Sequence, residues 1–119
     1  MNRIIPPRYQ YAGVYMLKNE TNGKVYIGSS ANIENRLNTH RSDLRRGKHY
    51  CKALQEDFDQ HHKITAHILY VEVIPQSSKQ INRRKYYAIE HKFIKEYDAF
   101  NNGYNTMPIS EITRNFNYG

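Results

Sequence analysis

The stretch AGVYMLKNETNGKVYIG, residues 12–28, decides how the rest of the chain is read. Val14 and Met16 are apolar on one parity, and Val25 and Ile27 resume the alternation after the turn-forming run Thr21, Asn22 and Gly23. A period of two marks strands, because successive side chains point to opposite faces of a pleated sheet. Asn22-Gly23 between two such runs is a strong hairpin signal, since the favoured two-residue turn needs positive φ at both positions. With those two residues as the turn, Thr21 faces Lys24 and Asn19 faces Tyr26. Val14, Met16, Val25 and Ile27 then share the core face, while Tyr15 and Tyr26 share the opposite face, which is left available for chemistry.

Downstream, Ser30 or Asn32 can cap a helix running to about Arg46, where Gly47 supplies a stop. Ile33, Leu37, His40 and Leu44 line one stripe of it, and Arg36 and His40 lie one turn apart. A shorter helix is expected from about Tyr50 to Gln60, with Leu54 and Phe58 inward. Ile64 to Ile74 reads as a third strand, rich in β-branched and aromatic residues and closed by Pro75. From about Lys79 to Tyr97 the spacing turns helical again, with Tyr86, Ile89, Phe93 and Tyr97 as the apolar stripe. Asn101 to Asn105 form a turn-rich return. The expected fold is α/β in the α+β sense: a small three-stranded, mostly antiparallel sheet flanked by helices. Residues 1–11 read as an N-terminal extension, 12–108 as the domain and 109–119 as a tail or the start of a linker.

A chain of 119 residues suits a single core. Eighteen Lys and Arg against eleven Asp and Glu leave +7, a balance that favours a polyanion such as nucleic acid as partner. The basic residues Arg41, Arg45, Arg46 and Lys48, with Arg83, Arg84 and Lys85, are candidates for contacts to backbone phosphates that carry no sequence information. Cys51 is the single cysteine, so no internal disulfide forms. No apolar run approaches the roughly 18 residues that span a bilayer. Met1 to Gln10 is polar and carries Pro6 and Pro7 where a signal peptide needs an apolar stretch. A cytoplasmic setting without membrane contact is the expectation.

Three features point to chemistry, each beside a structural alternative. A phenolic oxygen of Tyr15 or Tyr26 near a phosphodiester can orient or deprotonate a water if a cation, an Arg or a His lowers its pKa from about 10. With eleven tyrosines in the chain, packing is by itself the readier explanation. Arg36 offers a planar fork for phosphate oxygens and His40 a proton relay, with His49 just beyond the helix, although a solvated helix face would look similar. Glu90 sits among Tyr86, Phe93, Ile94 and Tyr97. A carboxylate costs several kcal/mol to bury unless it is paired or bound to a cation. Arg83, Lys92 or partial exposure would answer that, and so would a hard divalent ion shared with waters and a substrate phosphate.

Gly13-Val14-Tyr15 followed by Tyr26-Ile27-Gly28 closely resembles the paired motif of the GIY-YIG nuclease family. The likeness continues through Arg36, His40, His49, Glu90 and Asn105, which hold the order and approximate spacing of the family's later motifs, and it covers roughly Ala12 to Thr106. Local details are most similar to the catalytic domains of phage-type homing endonucleases. Val14 replaces the isoleucine of the motif name, a change of one methylene at a core position. The resemblance implies single-step hydrolysis of DNA with one divalent metal, Mg²⁺ or Mn²⁺, per active site. It implies Tyr15 as general base with His40 as proton partner, Tyr26 positioning water or phosphate, Arg36 stabilising phosphate charge, Glu90 holding the metal and Asn105 supporting the site's geometry. DNA is the expected partner, with a transient homodimer or a specificity-providing partner beside it. The alternative function is a catalytically silent DNA-binding or inhibitory protein on the same fold.

Overall fold

The alternation of residues 12–28 does form a hairpin, and the computed structural model, which describes residues 8–76 and 81–105, shows what it pairs with. The elements in chain order are β1 (Tyr9–Asn19), β2 (Val25–Ser30), α1 (Ile33–Arg45), α2 (Lys52–Asp59), β3 (Ile64–Pro75) and α3 (Arg83–Glu96). One sheet holds the three strands in the order β2-β1-β3, and both pairings are antiparallel. β1 starts at Tyr9 rather than Ala12, because Tyr9, Gln10 and Tyr11 pair with Pro75, Ile74 and Val73. Residues 109–119, read as a tail, lie outside the described residues.

The register of the hairpin differs from the two-residue turn. Leu17 faces Tyr26 and Lys18 faces Val25, so the strands close on a longer loop over residues 20–23. The cause is local side-chain bonding: Asn19 Oδ1 accepts the Thr21 N–H at 2.8 Å, and Asn22 Oδ1 accepts the Lys24 N–H at 2.9 Å. Gly23 at φ +81° closes the loop by donating to Asn19 O at 2.7 Å. The shift is two residues, which preserves parity, so every side chain keeps its expected face.

Val14, Met16, Val25 and Ile27 form one core cluster with Ala99, and Ile89, Phe93 and Ile94 of α3 pack against it. The opposite face is not open. Tyr15 and Leu17 are buried there with Ile33 and Leu44 of α1, Cys51, Leu54 of α2 and Tyr104. The amphipathic stripe of α1 needs an apolar surface and takes the tyrosine face for it. Each fully buried aliphatic side chain in these layers, such as Ile27, Ile33 or Leu54, contributes about 1.5–3 kcal/mol.

Helix ends follow their caps. Asn32 accepts from Asn35 N to start α1, and Asn82 accepts from Lys85 N to start α3. α3 therefore begins at Arg83, later than the spacing predicts, and Lys79 lies outside the described residues. α2 begins at Lys52 rather than Tyr50, leaving His49 and Tyr50 in the connection. Tyr97 caps α3 and is 44% exposed, so the buried stripe ends before it.

Candidate active site

The middle of β1 and the start of β2 bring the two motif tyrosines beside α1. Tyr15 pairs with Gly28, and its ring lies across that glycine: a Cβ at position 28 would sit 2.5 Å from the Tyr15 Oη. Only a residue without a side chain lets the phenol cross to α1, where Tyr15 Oη meets His40 Nε2 at 2.7 Å. His40 Nδ1 lies 2.7 Å from His49 Nε2, and the Cys51 N–H donates to His49 Nδ1 at 3.0 Å. Tyr15, His40 and His49 are all buried. Arg36, one turn before His40, lies close enough to Tyr15 for its guanidinium to act on the phenol.

Electrostatics at the tyrosines run opposite to the lowered pKa considered above. Burial pushes both phenols well above the usual range; at Tyr15 the Arg36 guanidinium pulls back without overcoming it, and at Tyr26 the Tyr50 hydroxyl adds to the rise. Burial acts in the other direction on the imidazoles, lowering His40 to about 4 and His49 by a smaller margin, so both rings are neutral at neutral pH. The ring of Tyr26 meets those of His40 and His49 edge-on, at 5.4 and 6.5 Å between centroids.

Glu90 reaches this cluster from the other side of the sheet. It is partly buried, and the hydroxyl and backbone N–H of Ser29, near the end of β2, lie close enough to favour its charged form. Burial still raises its pKa. Neither Arg83 nor Lys92 forms an ion pair with it, and among the described residues no cation does. Its charge is nonetheless felt at Tyr15, whose ionisation it opposes. Among the described residues no group of three or more His, Cys, Asp or Glu could cage a metal. A half-buried carboxylate with neutral donors on one side suits a hard ion that takes its other ligands from water and phosphate oxygens, as Mg²⁺ does.

Asn105 is brought to the edge of β2 rather than to the reacting groups. Its Oδ1 accepts the Ile27 N–H and its Nδ2 donates to Ile27 O, both at 2.8 Å, so an amide side chain substitutes for a fourth strand beside the Tyr26-Ile27-Gly28 segment. Tyr104 N–H adds a bond to Val25 O at 2.8 Å.

The basic residues divide. Arg83 and Arg84 line a groove of about 360 Å³ with Ser29, Ser30, Ala31, Tyr86 and Tyr87, adjoining the Glu90 side of the site. Arg41 and Arg45 border a second concavity on the α1 side with His40 and Thr65. Lys48 is exposed, and Arg46 pairs with Asp43 at 3.2 Å. Lys85 departs from the expectation of a phosphate contact: its ammonium is held by the Glu72 carboxylate, which also accepts from Tyr70 and from Tyr86 at 3.0 Å.

Sequence spacing passed over Tyr50, Ser29 and Gln55. The Tyr50 hydroxyl bonds that of Tyr26, its ring stacks on His49 at 4.7 Å, and Arg36 lies 6.0 Å from its centroid. Adjacency was the available signal, since Ser29 follows Gly28 and Tyr50 follows His49. Gln55 Oε1 accepts the His49 N–H at 3.0 Å, a contact across two elements that no local pattern announces.

A hairpin that sets two tyrosines and a glycine against an Arg/His helix, with a glutamate behind, places the chain in a known class: it belongs to the GIY-YIG family, whose catalytic-domain model matches residues 11–105. Among curated relatives, Intron-associated endonuclease 1 of Enterobacteria phage T4 is 36% identical over 94 residues, which are 79% of this chain and 36% of that protein. The chain thus spans about a third of that relative's length. Among solved structures, the catalytic domain of homing endonuclease I-TevI matches with TM-score 0.68 and 34% identity over 82% of this chain and 99% of that one. A mutant of the same catalytic domain matches with TM-score 0.68, 33% identity and coverages of 82% and 95%. No helix among the described residues is long and apolar enough to cross a membrane.

Proposed function

We propose that this chain is a divalent-metal-dependent DNA endonuclease that hydrolyses phosphodiester bonds in one step, with one Mg²⁺ or Mn²⁺ per site. The observation that carries the reading is Glu90: a half-buried carboxylate beside the tyrosine cluster, with Ser29 close by and no ion-pairing cation among the described residues. Bound there, the metal would act as a Lewis acid on the phosphate oxygens. Arg36 stabilises charge that builds on the phosphate, and Tyr15 and Tyr26 orient the attacking water, with Tyr15 taking the water's proton as base after its own has passed outward to a solvent hydroxide. His40 and His49 hold Tyr15 in place, and Asn105 keeps the strand carrying Tyr26 at the correct edge. Arg41, Arg45, Lys48, Arg83 and Arg84 supply phosphate contacts along the duplex.

The family match and the endonuclease relative, from a phage, support DNA as substrate and a bacterial or phage-infected cell as the setting. One such site cuts one strand at a time, so paired breaks call for a transient second copy or a partner. The test is supercoiled plasmid with and without Mg²⁺ or Mn²⁺, beside Glu90→Ala. Metal-dependent nicking lost in the variant supports the reading. Tight binding without cleavage by either protein would instead identify a silent DNA-binding module.

A further inference from the structure

Two neighbouring imidazoles usually leave their tautomers open, because either ring nitrogen can be the bare one. In this site one end of the chain is a backbone amide, which can only donate. The Cys51 N–H points at His49 Nδ1 from 3.0 Å, so a neutral His49 carries its proton on Nε2. That nitrogen lies 2.7 Å from His40 Nδ1 and is therefore the donor between the rings. His40, bare at Nδ1, carries its own proton on Nε2, 2.7 Å from Tyr15 Oη.

We infer that the Cys51 amide and His49 are positioning groups that fix His40 as a hydrogen-bond donor to Tyr15, turning the Tyr15 hydroxyl proton away from α1 and outward to the substrate. The opposite wiring, with Tyr15 donating to His40, would put a proton on His49 Nδ1 and set it head-on against the Cys51 N–H, leaving two buried donors facing each other. Arg36, which lies close enough to Tyr15 to pull its pKa down, carries only donors, so with His40 donating to Oη the Tyr15 proton finds no acceptor in either group. Lowering of both imidazole pKa values by burial keeps the rings neutral at pH 7, the state this logic requires.

The surroundings hold the wiring still. Gln55, itself buried, accepts the His49 N–H and donates to Leu44 O at 3.0 Å, tying the connection to α1. Tyr50 lies flat over His49, with an interplanar angle of 22°. The consequence is a changed role for His40. It does not take the Tyr15 proton; it holds the oxygen, and together with Arg36 it stabilises the phenolate that forms when that proton passes outward to a solvent hydroxide. This inference rests on the reading of Tyr15 as the group that meets the substrate.

Long-range ¹H–¹⁵N NMR of the imidazole rings, on the full chain at neutral pH without DNA, reads the tautomers directly. Both His40 and His49 are expected protonated at Nε2 and bare at Nδ1; a proton on Nδ1 of either ring overturns the inference. His49→Phe keeps a flat ring against Tyr50 and removes the donor. The His40 Nδ1 resonance should then move from its hydrogen-bonded position, and kcat should fall with KM unchanged; an unmoved resonance overturns the lock. If that variant does not fold, the wild-type tautomers decide alone. A protein with these tautomers that nicks no plasmid refutes the nuclease reading and leaves the wiring, whereas nicking with the opposite tautomers refutes the wiring alone.

Discussion

Replacing Gly28 by alanine should damage stability and cleavage together, and the structure sets the scale. The added Cβ would lie 2.5 Å from Tyr15 Oη and 2.6 Å from Cζ, closer than carbon contacts allow. Tyr15 is fully buried beneath α1 and cannot swing aside, so either the phenol leaves His40 or the hairpin separates from the helix. Overpacking of this kind costs about 1–3 kcal/mol. For a domain of this size each kcal/mol lowers Tm by roughly 4 °C, so Tm should fall by roughly 4–12 °C. A displacement of about 1 Å at a reacting group can cost 10²-fold in rate, and plasmid nicking should drop on that order. Gly23→Ala is the control. Nothing lies within 4 Å of its Cβ, and only the backbone at φ +81° is strained, at about 1–2 kcal/mol. It should melt earlier yet nick at the wild-type rate per folded molecule. Thermal melts and initial nicking rates well below both midpoints decide the matter. Wild-type melting and nicking by Gly28→Ala would refute the placement of Tyr15 across the glycine, as would two glycine variants whose activities simply track their stabilities.

Three further outcomes are expected. Arg36→Ala should lower kcat by roughly 10² or more, the scale for deleting one stabiliser of transition-state charge, and an effect confined to the salt dependence of binding would make Arg36 an ordinary phosphate contact. Arg84→Ala should reduce the slope of log K against log salt by about 0.9, while Lys85→Met, whose ammonium Glu72 already holds, should leave it unchanged; fluorescence anisotropy across a salt series separates the two. His40 has a native pKa near 4 against about 6.5 unfolded, so the unfolded chain binds the extra proton between those values. Its contribution is complete above pH 6.5 and lost as pH falls toward 4, at a slope of at most about 1.4 kcal/mol per pH unit, and urea titrations of wild type and His40→Asn should differ in that window.

Much of the fold was legible because the decisive pattern is local. Period-two alternation in residues 12–28 assigns faces even when the register is off by two, since parity is unchanged. What the pattern lacked was the chemistry of Asn19 and Asn22, whose side chains bond the backbone and lengthen the loop. Tyr15 and Tyr26 were placed on one face correctly, but whether that face is open depends on where α1 lands, a tertiary fact. The same holds for Lys85, a free cation in the sequence and the partner of Glu72 thirteen residues earlier in the fold. Tyr50 was passed over because its helix was begun two residues too early, which turned a site residue into a helix start.

The coupling of site to fold follows from where β2 sits. It is an edge strand, and each of its residues from Val25 to Ser29 is tied to something different: Val25 and Ile27 to the return at Tyr104 and Asn105, Tyr26 to Tyr50, Gly28 to the ring of Tyr15, and Ser29 to Glu90. A single short strand therefore sets the distance between the tyrosine side of the site and the carboxylate side, which arrive from opposite faces of the sheet. Asn105 is the clearest case. Asn105→Ala removes two bonds to Ile27 without touching any group that faces a phosphate, leaving an N–H and a C=O of a strand edge unpaired at about 1–3 kcal/mol if they stay dry. If β2 is the spacer, this variant should lose cleavage far more than it loses DNA affinity. Equal losses in both would mean that Asn105 supports the fold alone.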